Sequence, residues 1–132
     1  MKILLDTHVL LWWLFDEPKL CSIARAQISN PRNEIYVSSA SAWEIATKHR
    51  LGKMPEAKDL LQNYQGIIQQ ARFIELVITT KYALYAGILR IKHRDPFDRM
   101  LMAQAELDNL AIITYDSAFY LEHLIIIPSP KR

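Results

Sequence analysis

Four carboxylates are placed where they could do chemistry: Asp6 in "ILLDTH", Glu44 in "SSASAWE", Asp98 in "DPFDRML" and Asp116 in "IITYD". Asp6 and Asp116 directly follow short apolar runs. Glu44 lies about one turn into a helix-length segment, and Asp98 lies in the first turn of another. Each also has an ordinary structural use. Asp6 and Asp116 can cap the turns they begin, and Glu44 can pair with Lys48 four residues on. Asp95, Pro96 and Asp98 can be the N-cap, N1 and N3 residues of a capped helix. Capping is served equally well by Ser, Thr or Asn, yet all four positions carry carboxylates. Glu44 is flanked by Ala42, Trp43, Ile45 and Ala46, which points to a partly enclosed setting. Two carboxylates about 4 Å apart repel by roughly 4 kcal/mol at an effective dielectric near 20. A group of them takes up protons unless a cation sits between them. A donor set of oxygens without Cys or His suits Mg²⁺ or Mn²⁺, as one ion or two. Such ions activate water and stabilise charge developing on a phosphodiester. Metal-dependent phosphoryl hydrolysis is therefore the chemistry this set is suited to.

The elements that must position these acids follow from patterning. Short apolar runs alternate with helix-length amphipathic segments, the pattern of an α/β domain with a mostly parallel sheet of four to five strands. Strands are expected at "KILL" (2–5), "EIYVS" (34–38), "FIELV" (73–77), "LAIITYD" (110–116) and "IIIP" (125–128). Helices are expected at 7–15, 19–30, 39–52 with Gly52 as its C-terminal cap, 56–70, 80–93 and 96–109, with a short helical turn in 117–124. In open parallel sheets, ligand sites form at the carboxyl ends of strands near the switch in strand order. Three of the four acids lie at strand exits or in the helix just beyond one. The fourth opens a helix that feeds the next strand.

Composition narrows the possibilities. At 132 residues and 51% hydrophobic content, the chain reads as a single domain spanning 1–132, with enough apolar residues for a real core. Its longest aliphatic-aromatic run, Val9 to Phe15, is far shorter than the roughly 20 residues that span a bilayer. Asp6 and His8 interrupt the apolar start, so it reads as a strand rather than a secretory signal. The lone Cys21 excludes an internal disulfide framework and fits a reducing cytoplasm. With three glycines there is neither a Walker A loop nor a GxGxxG turn. His8, His49, His93 and His123 lack zinc-ligand spacing. The formal charge is only +2, so distribution matters more than the sum. Basic residues gather at Lys48-His49-Arg50, at Lys53, and at Arg90, Lys92, His93, Arg94 and Arg99.

Together the stretches "MKILLDTH", "SSASAWEIA", "HRDPFDRMLMAQA" and "AIITYD" resemble, in order and spacing, the motifs of PIN-domain ribonucleases, particularly the VapC-like toxins of bacterial toxin–antitoxin pairs. The resemblance covers essentially the whole chain. It implies a three-layer α/β/α sandwich and a Mg²⁺-dependent endoribonuclease that cuts single-stranded or loop RNA, leaving a 5′-phosphate and a 3′-hydroxyl. Asp6, Glu44, Asp98 and Asp116 match the acidic quartet. Of these, Asp6, Asp98 and Asp116 would hold the metal and Glu44 would help position the attacking water. Thr7 and Thr114 match positions where a hydroxyl supports the site. The resemblance further implies a homodimer and inhibition by a small cognate antitoxin.

Other residues carry two readings. Lys48, Arg50 and Arg99 could guide the RNA backbone, and Arg99 could instead pair with a neighbouring acid and orient it. The seven apolar residues of "VLLWWLF" exceed the single stripe a sheet-covering helix requires. Either this helix is buried on two sides, or Trp12 or Trp13 lies in the antitoxin groove, since Trp is enriched at binding hot spots. A receiver-like phosphoacceptor domain would want adjacent acids after the first strand, where Leu5-Asp6-Thr7 stands, and a lysine after the last, where only Lys131 is offered. A haloacid-dehalogenase-like phosphatase would want a second Asp at position 8, which is His. A non-catalytic RNA-binding module would have no use for four intact acids.

Overall fold

In the computed structural model, residues 1–121 and 124–128 are described. His123 and Lys131, and residues 122–123 of the expected turn, lie outside them. Five strands form one parallel sheet: β1 (Lys2–Leu5), β2 (Glu34–Ser38), β3 (Ile74–Leu76), β4 (Ala111–Ile113) and β5 (Ile125–Ile127), in the order β3-β2-β1-β4-β5. All five expected strands are present. β3 and β4 are shorter than their apolar runs because pairing covers only three residues of each.

Seven α-helices occur among the described residues: α1 (Thr7–Leu14), α2 (Ser22–Ser29), α3 (Ser39–Arg50), α4 (Lys58–Gln62), α5 (Tyr64–Gln70), α6 (Thr80–Ile88) and α7 (Pro96–Leu107). Short 3-10 turns sit at Pro55–Ala57 and Ser117–Phe119. Alternate residues of the central strands point to opposite faces. Ile3, Leu5, Ile35, Val37, Ala111 and Ile113 join α1, α2 and α5 in one core cluster. Leu4 and Ile112 join Leu101, Met102 and Ala105 of α7 in the other. The result is the three-layer α/β/α sandwich, with the strands nearest the middle apolar on both faces.

Three expected helices differ in extent. The segment 56–70 is not one helix. Asn63, at φ −143° and ψ 43°, separates α4 from α5. The helix expected over 80–93 stops at Ile88, and Leu89 turns extended at ψ 125°. α2 begins at Ser22, leaving Lys19 and Leu20 before it. α3 ends as Gly52 predicts. Gly52 takes φ +77°, its N–H donates to His49 O at 3.0 Å, and the Lys53 N–H donates to Lys48 O at 2.9 Å. These are the paired bonds of a Schellman ending, which favours Gly at the left-handed position.

Candidate active site

Strand order reverses at β1. The chain runs outward from β1 through β2 to β3, then returns to lay β4 on the other side of β1. The crevice beyond the carboxyl ends of β1 and β4 is therefore the expected ligand position. Asp6 leaves β1 there, and its N–H donates to Ile113 O of β4 at 3.1 Å. The Asp6 side chain caps α1 with a long contact from the His8 N–H, 3.4 Å. It is 4% exposed. Its Oδ2 accepts a 2.6 Å hydrogen bond from Thr114 Oγ1, and Thr114 in turn accepts from the Asp116 N–H at 3.0 Å. Burial pushes the Asp6 carboxyl above its usual range, against the opposing pull of Thr114 and His8, with the Glu44 charge adding to the rise.

Asp98 enters from the start of α7. Asp95 caps this helix, its Oδ1 accepting from the Phe97 and Asp98 N–H groups at 2.9 and 3.2 Å, and Pro96 occupies the first turn. Asp98 Oδ2 lies 2.7 Å from His93 Nε2. Burial first, then the charges of Asp95, Asp6 and Glu44, push the Asp98 carboxyl up to about 6, although the His93 hydrogen bond pulls the other way.

Glu44 comes from α3 and is 3% exposed, while its neighbour Trp43 is 58% exposed and packs edge-on against Phe97. The α3 face that carries Glu44 is held by Ser41, whose Oγ lies 2.9 Å from Thr7 Oγ1. Glu44 Oε2 pairs with Lys48 Nζ at 2.5 Å. Oε1 is buried with no hydrogen-bond partner among the described residues.

Asp6, Glu44 and Asp98 thus sense one another electrostatically. Asp116 is joined to them differently. It is exposed, its Oδ1 accepts from the Ala118 N–H at 2.9 Å, and its link to Asp6 runs through Thr114. Asp6 and Asp116 nonetheless line one cleft of about 280 Å³ with His8, Val9, Trp12 and Tyr115.

The remaining expected residues fall in several places. Lys48 is at the acids rather than on a free surface. Arg50 is exposed at the last turn of α3. Among the described residues Arg99 takes no carboxylate partner. Its guanidinium donates to the carbonyls of Ala86, Gly87, Leu89 and His93. The first three lie at the end of α6, which lacks a left-handed cap, and the His93 carbonyl lies in the loop beyond it. Trp12 sits edge-on to Tyr115 with ring centroids 5.2 Å apart, on the cleft. Trp13 packs into the core and toward Phe73 at 6.5 Å. Sequence reasoning missed His93 and Ser41 as neighbours of the site. Ser41 stands three before Glu44, a helical spacing that could have flagged it. His93 is brought in by a loop and has no local signal.

As placed, no three His, Cys, Asp or Glu side chains among the described residues gather closely enough to hold a metal ion. Their chemistry nevertheless fits a hard divalent cation. The donors are all carboxylate oxygens, burial and mutual repulsion raise the carboxyls of Asp6 and Asp98, and Glu44 Oε1 is an unused buried acceptor.

Comparison with known proteins bears on the family. Over 117 residues the chain is 28% identical to ribonuclease VapC22 of Mycobacterium tuberculosis, covering 86% of each protein. A shorter match, 58% identical over 31 residues, links it to ribonuclease VapC16 of the same organism and spans 24% of this chain and 22% of that protein. The fold is similar to that of VapBC2 from Rickettsia felis bound to a DNA fragment from their promoter, with a TM-score of 0.68 and 18% identity over 96% of this chain and 97% of the other. The family model described as "PIN domain" matches residues 3–121, and the chain belongs to the PIN-domain family.

Proposed function

We propose that this protein is a divalent-metal-dependent endoribonuclease acting on single-stranded or loop RNA, and the toxin of a toxin–antitoxin pair. One observation supports the chemistry: burial and the Glu44 charge raise both the Asp6 and the Asp98 carboxyls, Asp6 adds to the rise of Asp98, and Glu44 Oε1 is a buried acceptor without a partner among the described residues. Kinship with VapC ribonucleases supports the choice of RNA.

In this reading Asp6, Asp98 and Asp116 hold Mg²⁺ or Mn²⁺, as one ion or two, and Glu44 positions the attacking water. When bound, the ion supplies activation of that water and neutralises charge on the scissile phosphate. The chain's own residues set the stage. Thr114 holds Asp6 Oδ2 while Oδ1 takes the long contact from the His8 N–H, and His93 holds Asp98 Oδ2. Beside Asp98, the loop after α6 exposes Arg90, Lys92 and Arg94 around two clefts of about 590 and 600 Å³. Such a basic rim attracts a phosphodiester backbone without reading its sequence. Arg50 extends the positive charge along α3. The same reading carries a cytoplasmic homodimer silenced by a small antitoxin that packs near Trp12.

The deciding experiment incubates the protein with a panel of structured RNAs in Mg²⁺ or in EDTA. Cleavage at loops is expected only with Mg²⁺, leaving 5′-phosphate ends. Asp6→Asn should retain the circular-dichroism spectrum and lose cleavage. Equal cleavage in EDTA, or by Asp6→Asn, would sink the assignment.

A further inference from the structure

Lys48 is placed where an acid cluster most needs a cation. Its Nζ lies 2.5 Å from Glu44 Oε2, on a side chain that is 30% exposed, while that of Glu44 is 4% exposed. The ammonium also feels Asp95 and Asp98. Burial alone would lower its pKa, and the Glu44 hydrogen bond and charge, with those two aspartates behind them, raise it instead. Lys48 is part of the rigid end of α3, where its own carbonyl accepts the Lys53 N–H of the Schellman ending. The ammonium therefore starts from a fixed backbone position at the edge of the cluster.

We infer that Lys48 is a built-in counter-cation: it neutralises the acid cluster in the metal-free protein and competes with the divalent ion for the same carboxylates. This inference rests on the proposed metal site and assigns Lys48 a positioning role in place of a contact to RNA. The physical basis is that Glu44 Oε2 is occupied by Lys48 while Oε1 is not. A divalent ion that draws on Glu44 meets a positive charge already there. Like charges at this range oppose each other by kcal/mol amounts in a partly buried setting. The consequence is a site that folds without metal and binds it less tightly than its carboxylates alone would.

The test uses Lys48→Gln, which keeps a donor for Glu44 Oε2 but removes the charge, and Lys48→Arg, which keeps the charge. Affinity for Mn²⁺ is measured by titration calorimetry, and thermal stability is measured in EDTA and in Mg²⁺. Lys48→Gln should bind Mn²⁺ about tenfold more tightly than the parent, ~1.4 kcal/mol. It should also melt lower in EDTA and gain more from Mg²⁺. Lys48→Arg should stay near the parent in all three. Should metal-free Lys48→Gln prove too unstable to titrate, its Mg²⁺-induced rise in melting temperature, read against that of the parent, decides alone. Unchanged or weaker Mn²⁺ binding by Lys48→Gln, with Asp6→Asn losing the ion, overturns the role of Lys48 and leaves the metal site standing. A parent protein that binds no Mn²⁺ overturns both.

Discussion

At the residue scale, Asp95 and Asp98 show how one helix start serves two ends. Asp95 supplies the cap through its Oδ1, and Pro96 sets the first turn. Only half of a capping box forms: Asp98, at the third helical position, gives its N–H to Asp95 but turns its Oδ2 to His93, where it feels the charges of Asp6 and Glu44. Its raised carboxyl has a consequence for stability. The native state holds the Asp98 proton up to about pH 6, whereas the ordinary value is 3.8. Between these values the native protein binds more protons than the unfolded chain, so rising pH erodes stability across that window, and the loss is complete above it. Asp98→Asn cannot ionise and escapes this loss. In EDTA, its stability advantage over the parent should be near zero at about pH 4 and reach about 1–2 kcal/mol above pH 6.5. Urea denaturation of both proteins across that range checks it. A difference that stays flat with pH would contradict the shared burial of these acids.

At the element scale, helix ends decide what the sequence reveals. α3 announces its end with Gly52. α1, α5 and α7 end with the same backbone pattern but place Asp16, Arg72 and Asn109 at positive φ. Of these, only Asn commonly marks such an end. The early stop of α6 was illegible for another reason: the competing signal is tertiary. α6 could continue to His93 on propensity alone. It stops because Arg99, eleven residues beyond Ile88, supplies donors to its last carbonyls and to His93 O. That clamp also fixes the loop that carries His93 to Asp98. Arg99→Met keeps the apolar stem but strands these carbonyls, and Lys in its place cannot reproduce the fork. We expect Arg99→Met to cost about 2 kcal/mol in chemical denaturation. RNA cleavage should fall more than the loss of folded protein accounts for, because Asp98 loses its anchored partner. Full activity per folded molecule would show that the loop holds His93 without Arg99.

At the scale of the whole molecule, the strand order brings residue 6 against residue 114, a hydrogen bond spanning 108 positions. The acids were legible in the sequence because each marks a strand exit or a helix start. Their unequal burial was not, because it depends on tertiary placement: Asp6 directly follows β1 and is buried, whereas Asp116 stands beyond Thr114 and Tyr115 after the end of β4 and is exposed. The same switch separates the two tryptophans of α1. Successive residues on a helix point about 100° apart, so Trp12 faces the cleft with Tyr115 while Trp13 turns into the core toward Phe73. Both rings are partly buried against the same core cluster, and only Trp12 also lines the cleft. Trp13→Ala empties core volume and should cost about 3 kcal/mol or more in denaturant unfolding. Trp12→Ala should cost less, because its ring is bounded on one side by the open cleft. It should instead weaken binding of the proposed antitoxin, since any segment filling the cleft beside Asp6 and Asp116 must touch that ring. Paired measurements of unfolding and of partner affinity on the two variants separate the roles. Equal losses of stability with partner binding intact in Trp12→Ala would return both rings to the core and leave the cleft without an aromatic anchor from α1.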